Sequence, residues 1–245
     1  MVSVEPYKGY IDMNSIAGDS LIGECMIVPE SWTFKNESVA KHFDKHVREQ
    51  LPWYDSATHL VAHLVTAYAG ENATVYDIGC STGNLSATLS DTAKVRNWKW
   101  VGVDNSTEML EQYRGIQAEN LLSGDAGSFE YERHDVCVFF LSLLFMSRTD
   151  RHRLLNYMWS KLKPGGAMIV VDKIMPPDGY IGTVLHRYTI KSKFEAGANP
   201  IDIIRKEYAL LGVQIPMTLD ELPANSTPVP FFQNGEFFGV IMVKA

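Results

Sequence analysis

Four residues in this chain carry the first chemical argument: Asp77, Gly79, Gly83 and Asp104. Val75-Tyr76-Asp77-Ile78-Gly79-Cys80-Ser81-Thr82-Gly83-Asn84 is an apolar run with an acid near its end that breaks into a glycine turn. Trp98-Lys99-Trp100-Val101-Gly102-Val103-Asp104 is a second apolar run ending on an acid, 21 residues past Gly83. Glycine lets a backbone turn sharply and lie against a ligand, and an acid at the end of the next strand can accept both hydroxyls of a ribose. This is the pattern of a nucleoside site on a β-α-β unit. A pyrophosphate binder normally shows G-x-G-x-x-G, with helix-end amides aimed at phosphate. Here the turn reads D-x-G-x-x-x-G, and Asp77 would repel a pyrophosphate. An acid at that position suits a ligand carrying an ammonium and a sulfonium, which points to S-adenosyl-L-methionine as the cofactor.

Strands and helices must hold these residues in place. The pattern predicts a strand at Thr74–Ile78, a helix over about 84–93, a strand over 98–104 and a helix over about 107–119. Ser106 is the natural cap of that last helix, with Glu108 and Glu111 near its positive end. Upstream, residues 38–51 place Val39, Phe43 and Val47 four apart in a helix that Pro52 ends, and 56–68 put Leu60, Val61, Leu64, Val65 and Tyr68 on one face of another. Residues 1–31 show no clear period and read as an extended arm or cover.

Downstream, 135–141 is a continuous apolar strand of the kind buried on both faces of a parallel sheet. Residues 150–162 read as a helix, and Pro164-Gly165-Gly166 turns the chain into a strand over 167–172. Residues 179–211 are helical with a break near 196–200, and Asn234-Gly235 joins two terminal strands into a hairpin. The alternation predicts an α/β, Rossmann-like doubly wound sheet with its ligand beyond the carboxyl ends of the strands. The N-terminal part through Tyr54 and the helical insertion are then expected to roof the cofactor.

With 245 residues, 46% of them hydrophobic and 21% charged, the chain is long enough for one well-buried domain spanning 1–245. Within it, 1–70 form an arm and helices, and 179–212 a helical insertion. Cys25, Cys80 and Cys137 are few and far apart, which argues for a reducing compartment, and no run of about 18 apolar residues marks a membrane span. A cytoplasmic protein is expected. The net charge of -7 argues against a broad grip on a nucleic-acid backbone. His186-Arg187, Lys191, Lys193, Arg205 and Lys206 cluster in the C-terminal part and read as a solvated face. Direct nucleic-acid contact and a homodimer stay open.

The ribose acid, the glycine turn and Leu162-Lys163-Pro164-Gly165-Gly166 resemble those of class I S-adenosyl-L-methionine-dependent methyltransferases. That resemblance covers about 70–245 and implies a mostly parallel seven-stranded sheet ending in an antiparallel hairpin. A narrower resemblance, to the carboxy-S-adenosyl-L-methionine synthase group, rests on several short stretches. They are Ser31-Trp32-Thr33-Phe34, Pro52-Trp53-Tyr54, Tyr76-Asp77-Ile78-Gly79-Cys80-Ser81, Asp104-Asn105-Ser106 with Met109, and Lys173. Those enzymes make the donor for a tRNA wobble-uridine modification. The resemblance implies that Tyr54, Gly79, Cys80, Ser81, Asp104, Asn105, Asp125 and Ala126 line the cofactor, with Asp125 holding the adenine amino group. The chain departs from the group at Phe140, where the group has an Asn, and over 219–230, which holds no basic residue where the group uses an Arg against the extra carboxylate.

Other residue types could also do chemistry. His42 and His46, and His59 and His63, stand four apart on consecutive helices; no acid or cysteine reinforces them, so no metal is assigned. Cys80 reads as a supplier of its backbone amide to the cofactor rather than as a nucleophile. Methyl transfer needs alignment and a site closed to water, and a base is optional. Asp172 and Lys173 at a strand end are the candidates for one, with His186 and Tyr188 from the following helix as alternatives. Three functions stand side by side: methyl transfer to a small molecule or an RNA nucleobase, carboxy-S-adenosyl-L-methionine synthesis, and S-adenosyl-L-methionine binding without catalysis.

Overall fold

The computed structural model describes residues 28–176 and 178–245, so Cys25 and the expected arm through residue 27 lie outside the described residues. Seven strands form one sheet in the order β3-β2-β1-β4-β5-β7-β6. They are β1 Thr74–Ile78, β2 Lys99–Asp104, β3 Leu122–Ser123, β4 His134–Phe140, β5 Leu162–Lys173, β6 Val229–Asn234 and β7 Phe237–Val243. Strands β1 to β5 run parallel, and β7 lies antiparallel to both β5 and β6. Strand order reverses between β1 and β4, the place where open α/β sheets bind ligands beyond their carboxyl ends.

Side chains alternate across the sheet with period two. Val75, Val136, Val138, Ile169 and Val171 share one core cluster with Ala57, Val61 and Val65 of α2 (Tyr54–Tyr68). Tyr76, Ile78, Cys137, Phe139, Met168 and Val170 share the other with Leu154, Leu155 and Met158 of α6 (Arg148–Lys161). Covering both faces explains why β4 reads as a continuous apolar run.

Two helices differ from the expected lengths. The segment after the glycine turn divides into α3 (Asn84–Thr88) and α4 (Ser90–Val95), and α5 stops at Thr107–Glu111 instead of reaching 119. Tertiary hydrogen bonds replace the helical ones. Arg114 N donates to Thr82 O at 2.9 Å, and the Tyr113 hydroxyl meets Ser86 Oγ at 2.8 Å. The Gln117 and Asn120 side chains donate to the carbonyls of Trp98 and Trp100. The short β3 has no sequence signature beyond two residues beside β2. Strand β5 also starts earlier than 167, because Leu162 already pairs with His134 and Lys163 Nζ holds Asp135 at 2.8 Å.

The remaining helices flank the carboxyl end of the sheet. Helix α1 (Glu37–Gln50) is capped by the Asn36 side chain, α7 (Gly179–Glu195) by Asp178, and α8 (Pro200–Ala209) by Asn199 with Pro200 in its first turn. The break between α7 and α8 is Gly197 in the left-handed region, with φ 89°. No described helix is long and apolar enough to cross a membrane.

Candidate functional site

A cavity of about 360 Å³ opens at the carboxyl ends of β1, β2 and β4, roofed by the segment from Trp32 and by α1, α7 and α8. Its floor is the glycine turn. Gly79 has φ 79°, and a Cβ built there would collide with the Ser142 side chain, so the turn after β1 admits no larger residue. Gly83 shapes the turn from behind, outside the cavity wall: an added Cβ would lie 2.7 Å from the Tyr113 ring.

Asp104 ends β2 with its carboxylate fixed by two backbone amides, Ser81 N to Oδ2 and Ser106 N to Oδ1, each at 2.9 Å. Each oxygen keeps lone-pair capacity toward the cavity, as a ribose diol requires. Asp77 is 3% exposed, and its Oδ2 has no hydrogen-bond partner among the described residues. Burial first, and the neighbouring Asp104 second, push its carboxyl up to about 7. A buried, unpartnered carboxylate oxygen is costly unless a ligand satisfies it, and an ammonium is the group that does so. The residues present therefore fit S-adenosyl-L-methionine.

That geometry sets a pH prediction. A carboxyl raised above its unfolded value contributes stability that is present below the unfolded pKa and lost as pH rises through the folded one, here about 7. Asp77→Asn should therefore raise the melting temperature of the ligand-free protein at pH 8 by about 2 °C or more. The same change should weaken S-adenosylhomocysteine binding at that pH. For the native protein, affinity should climb as pH rises through about 7. Scanning calorimetry paired with titration calorimetry checks all three, and a variant both less stable and equally tight would remove Asp77 from the site.

Other expected cofactor residues reach the same wall. Tyr54, Cys80, Ser81, Asn105, Met109, Asp125, Ala126 and Phe140 all line the cavity. The Tyr54 and Phe140 rings pack 5.4 Å apart, and Asp125 Oδ1 accepts from Gly127 N at 2.7 Å. The Cys80 amide donates to Val103 O at 3.0 Å, so it is engaged within the fold. Burial pushes its thiol well above the ordinary range, away from a thiolate nucleophile.

The expected bases separate, and Tyr188 is exposed and off the cavity. Asp172 is fully buried and lies off the cavity wall, accepting from the amides of Leu143, Leu144 and Lys173 at 2.7–3.3 Å. It organises the turn after β4 and is shut away from any acceptor. His186 also lies off the cavity, with Nδ1 3.3 Å from Glu236. Lys173 lines the cavity, 3.5 Å from Glu236 and 3.3 Å from Gln214 Oε1. The four histidines do not converge: His42 Nδ1 meets Ser38 O, His46 stacks on Trp32, and His59 and His63 are exposed. No group of three or more His, Cys, Asp or Glu side chains sits at metal-holding distance among the described residues.

The basic cluster read as a solvated face is split by the fold. Arg187 and Lys191 are exposed, whereas Lys193 and Lys206 turn onto the cavity with His46 and Glu207. The pattern of α7 hides this, because its buried residues are Thr189 and Lys193 while Tyr180, Ile181, Val184 and Tyr188 face outward. The signal in the sequence is Trp32, Phe34 and His46, apolar and aromatic residues on segments that have to cover something.

A methyltransferase-domain family model matches residues 75–166. A carboxy-S-adenosyl-L-methionine synthase of Staphylococcus epidermidis is 30% identical over 225 residues, covering 88% of this chain and 98% of that protein. One from Wolinella succinogenes is 31% identical over 192 residues, covering 76% and 80%. Among solved structures, human N-acetylserotonin methyltransferase in complex with S-adenosyl-L-methionine aligns with a TM-score of 0.54 at 13% identity, over 86% of this chain and 57% of that one. An O-methyltransferase family 2 protein of Planctomyces limnophilus aligns with a TM-score of 0.52 at 16% identity, over 87% and 63%. These two structures share the fold. The glycine turn, the two cavity acids and the near full-length match to the Staphylococcus protein together establish that the chain belongs to the carboxy-S-adenosyl-L-methionine synthase family of class I S-adenosyl-L-methionine-dependent enzymes.

Proposed function

We propose that this enzyme transfers a methyl group from S-adenosyl-L-methionine to a small or medium-sized acceptor held under α7 and α8. The unpartnered Asp77 Oδ2 beside an Asp104 fixed by two amides carries the reading. When bound, the cofactor supplies an electrophilic methyl group on a sulfonium. Asp77 is placed to take its ammonium and Asp104 its ribose, while Asp125 and Ala126 lie where an adenine would rest. Tyr54 and Phe140 close the wall with apolar surface, which keeps water from a strongly electrophilic centre. Lys173 is the one of the expected bases that faces the cavity. A cytoplasmic setting belongs to the proposal, since Cys80 and Cys137 are free thiols buried in the core.

A second reading, carboxyl transfer onto S-adenosyl-L-methionine, is favoured by the names of the relatives and by three lysines at the cavity wall, Lys173, Lys193 and Lys206. Against it stand Phe140 in place of the group's Asn and the absence of a basic residue over 219–230. Mass analysis decides between them. The purified enzyme is given S-adenosyl-L-methionine with prephenate, and separately isotope-labelled S-adenosyl-L-methionine with small-molecule and RNA pools. We expect label in an acceptor pool and little or no carboxylated cofactor. Robust formation of the carboxylated product without acceptor labelling would reverse the order of the two readings.

A further inference from the structure

Lys206 lies where a structural lysine would have a carboxylate, and it has none within ion-pair distance among the described residues. Its Nζ sits 2.7 Å from His46 Nε2 and 4.4 Å from the centroid of Trp32, which stacks on His46 at 5.5 Å and 24°. The acid that acts on it, Glu207, is engaged elsewhere and takes Lys193 at 2.9 Å. Lys206 and His46 line the same cavity as Asp77 and Asp104.

The groups facing this amine are Trp32, His46 from α1, Lys193 from α7 and Glu207 from α8 itself, and Lys173 from β5 acts on Glu207 in turn. Burial and then Lys193 hold the Lys206 amine well below the ordinary lysine range, with Glu207 pulling the other way. Burial, then Lys206 and Lys193, push His46 down to about 2, so its imidazole is neutral. The ring can accept at Nε2 from the neighbouring amine.

The geometry points to Lys206 as the proton acceptor of the transfer, with His46 and Trp32 as positioning residues that hold its amine at the cavity wall. The inference rests on the methyl-transfer reading and names its acceptor class, a molecule presenting an O–H or N–H. The acceptor heteroatom attacks the methyl carbon with its lone pair and forms the new bond. The carbon–sulfur bond breaks with its electron pair left on sulfur. The heteroatom's proton passes to Lys206 Nζ, and the resulting ammonium donates to His46 Nε2. A lysine base of this kind works near neutral pH only where burial and like charge keep it unprotonated.

Lysine side-chain NMR of carbon-13-labelled protein tests this, with pH titrations of the ligand-free enzyme and of its complexes with S-adenosyl-L-methionine and S-adenosylhomocysteine. Lys206→Arg assigns the signal, or sequential assignment does so if that variant fails to fold. Lys206 should titrate well below the ordinary lysine range in the free enzyme. It should titrate about one pH unit or more lower with S-adenosyl-L-methionine than with S-adenosylhomocysteine, because only the former brings a positive sulfonium close to it. A lysine that merely braces Trp32 would not separate the two ligands. Titration in the ordinary lysine range, or an equal response to both ligands, overturns the assignment while leaving the cofactor site intact. Titration calorimetry on the same samples reads that site separately, and failure of both ligands to bind would remove the methyl-transfer reading and this inference with it.

Discussion

Asp104→Ala should weaken S-adenosylhomocysteine binding about ten- to a hundredfold, corresponding to about 1.5–3 kcal/mol. The carboxylate at the end of β2 is both fixed by two amides and turned onto the cavity, so its loss acts twice. It removes the charged acceptor for the ribose diol, and it frees Ser81 N and Ser106 N, which set the turns on either side of the ligand. Asp104→Asn should fall between, since an amide oxygen can still accept from one of the two amides but carries no charge. Burial pushes the Asp104 carboxyl upward, with the amides of Ser106, Ser81 and Asn105 opposing, so the variants are compared with the native protein at one alkaline pH. Titration calorimetry on variants with native-like circular dichroism gives the answer. Affinity equal to the native protein's would place the ribose elsewhere.

Glu221→Gln should lower the unfolding free energy by about 3–5 kcal/mol, the usual result of leaving one partner of a buried ion pair alone. Arg151 is fully buried on α6, and its guanidinium binds the Glu221 carboxylate through two nitrogens, Nε to Oε2 and Nη2 to Oε1. The same guanidinium donates to the carbonyls of Ile215 and Pro216 at 2.7 and 3.1 Å. One cation thereby ties α6 to the segment that carries Gln214, a cavity residue in contact with Lys173. Removing the negative partner strands the cation without water. The double change Arg151→Met with Glu221→Leu should recover much of the loss, because two apolar side chains carry no desolvation penalty. Urea unfolding followed by circular dichroism measures both. A Glu221→Gln loss under about 1 kcal/mol would show that the pair is solvated and does not brace the cavity wall.

The cofactor half of the site is legible in the sequence because its parts are contiguous. Asp77, Gly79 and Gly83 lie in one strand and turn, and Asp104 ends the next strand, where parallel pairing fixes the register of Asp77 against Gly102. Local rules are enough there: an acid at a strand end and a residue with positive φ keep their roles wherever the rest of the chain goes. The alternation of strand and helix likewise predicts the doubly wound sheet, since an apolar strand buried on both faces, as β1 and β4 are, is a property of each strand alone.

The lysine-bearing wall under α7 and α8, proposed to hold the acceptor, belongs to the tertiary structure. Lys193 and Lys206 look the same in sequence as Lys191 and Arg187, yet packing of α7 and α8 over α1 takes the first two inward and leaves the others in water. The early stop of α5 has the same origin, because Arg114 finds a partner on the glycine turn and Tyr113 one on α3 just after it, residues that no local pattern links to them. Position along the chain puts Asp172 and His186 near the chemistry, but the amides of Leu143 and Leu144 and the carboxylate of Glu236 hold them outside the cavity. Sequence by itself determined what binds to the strand ends, because backbone geometry and nearest neighbours decide it. Which charges face the cavity was left to the tertiary structure, because the desolvation of a charged side chain depends on the element packed over it, and that element lies as many as 160 residues away for His46 and Lys206.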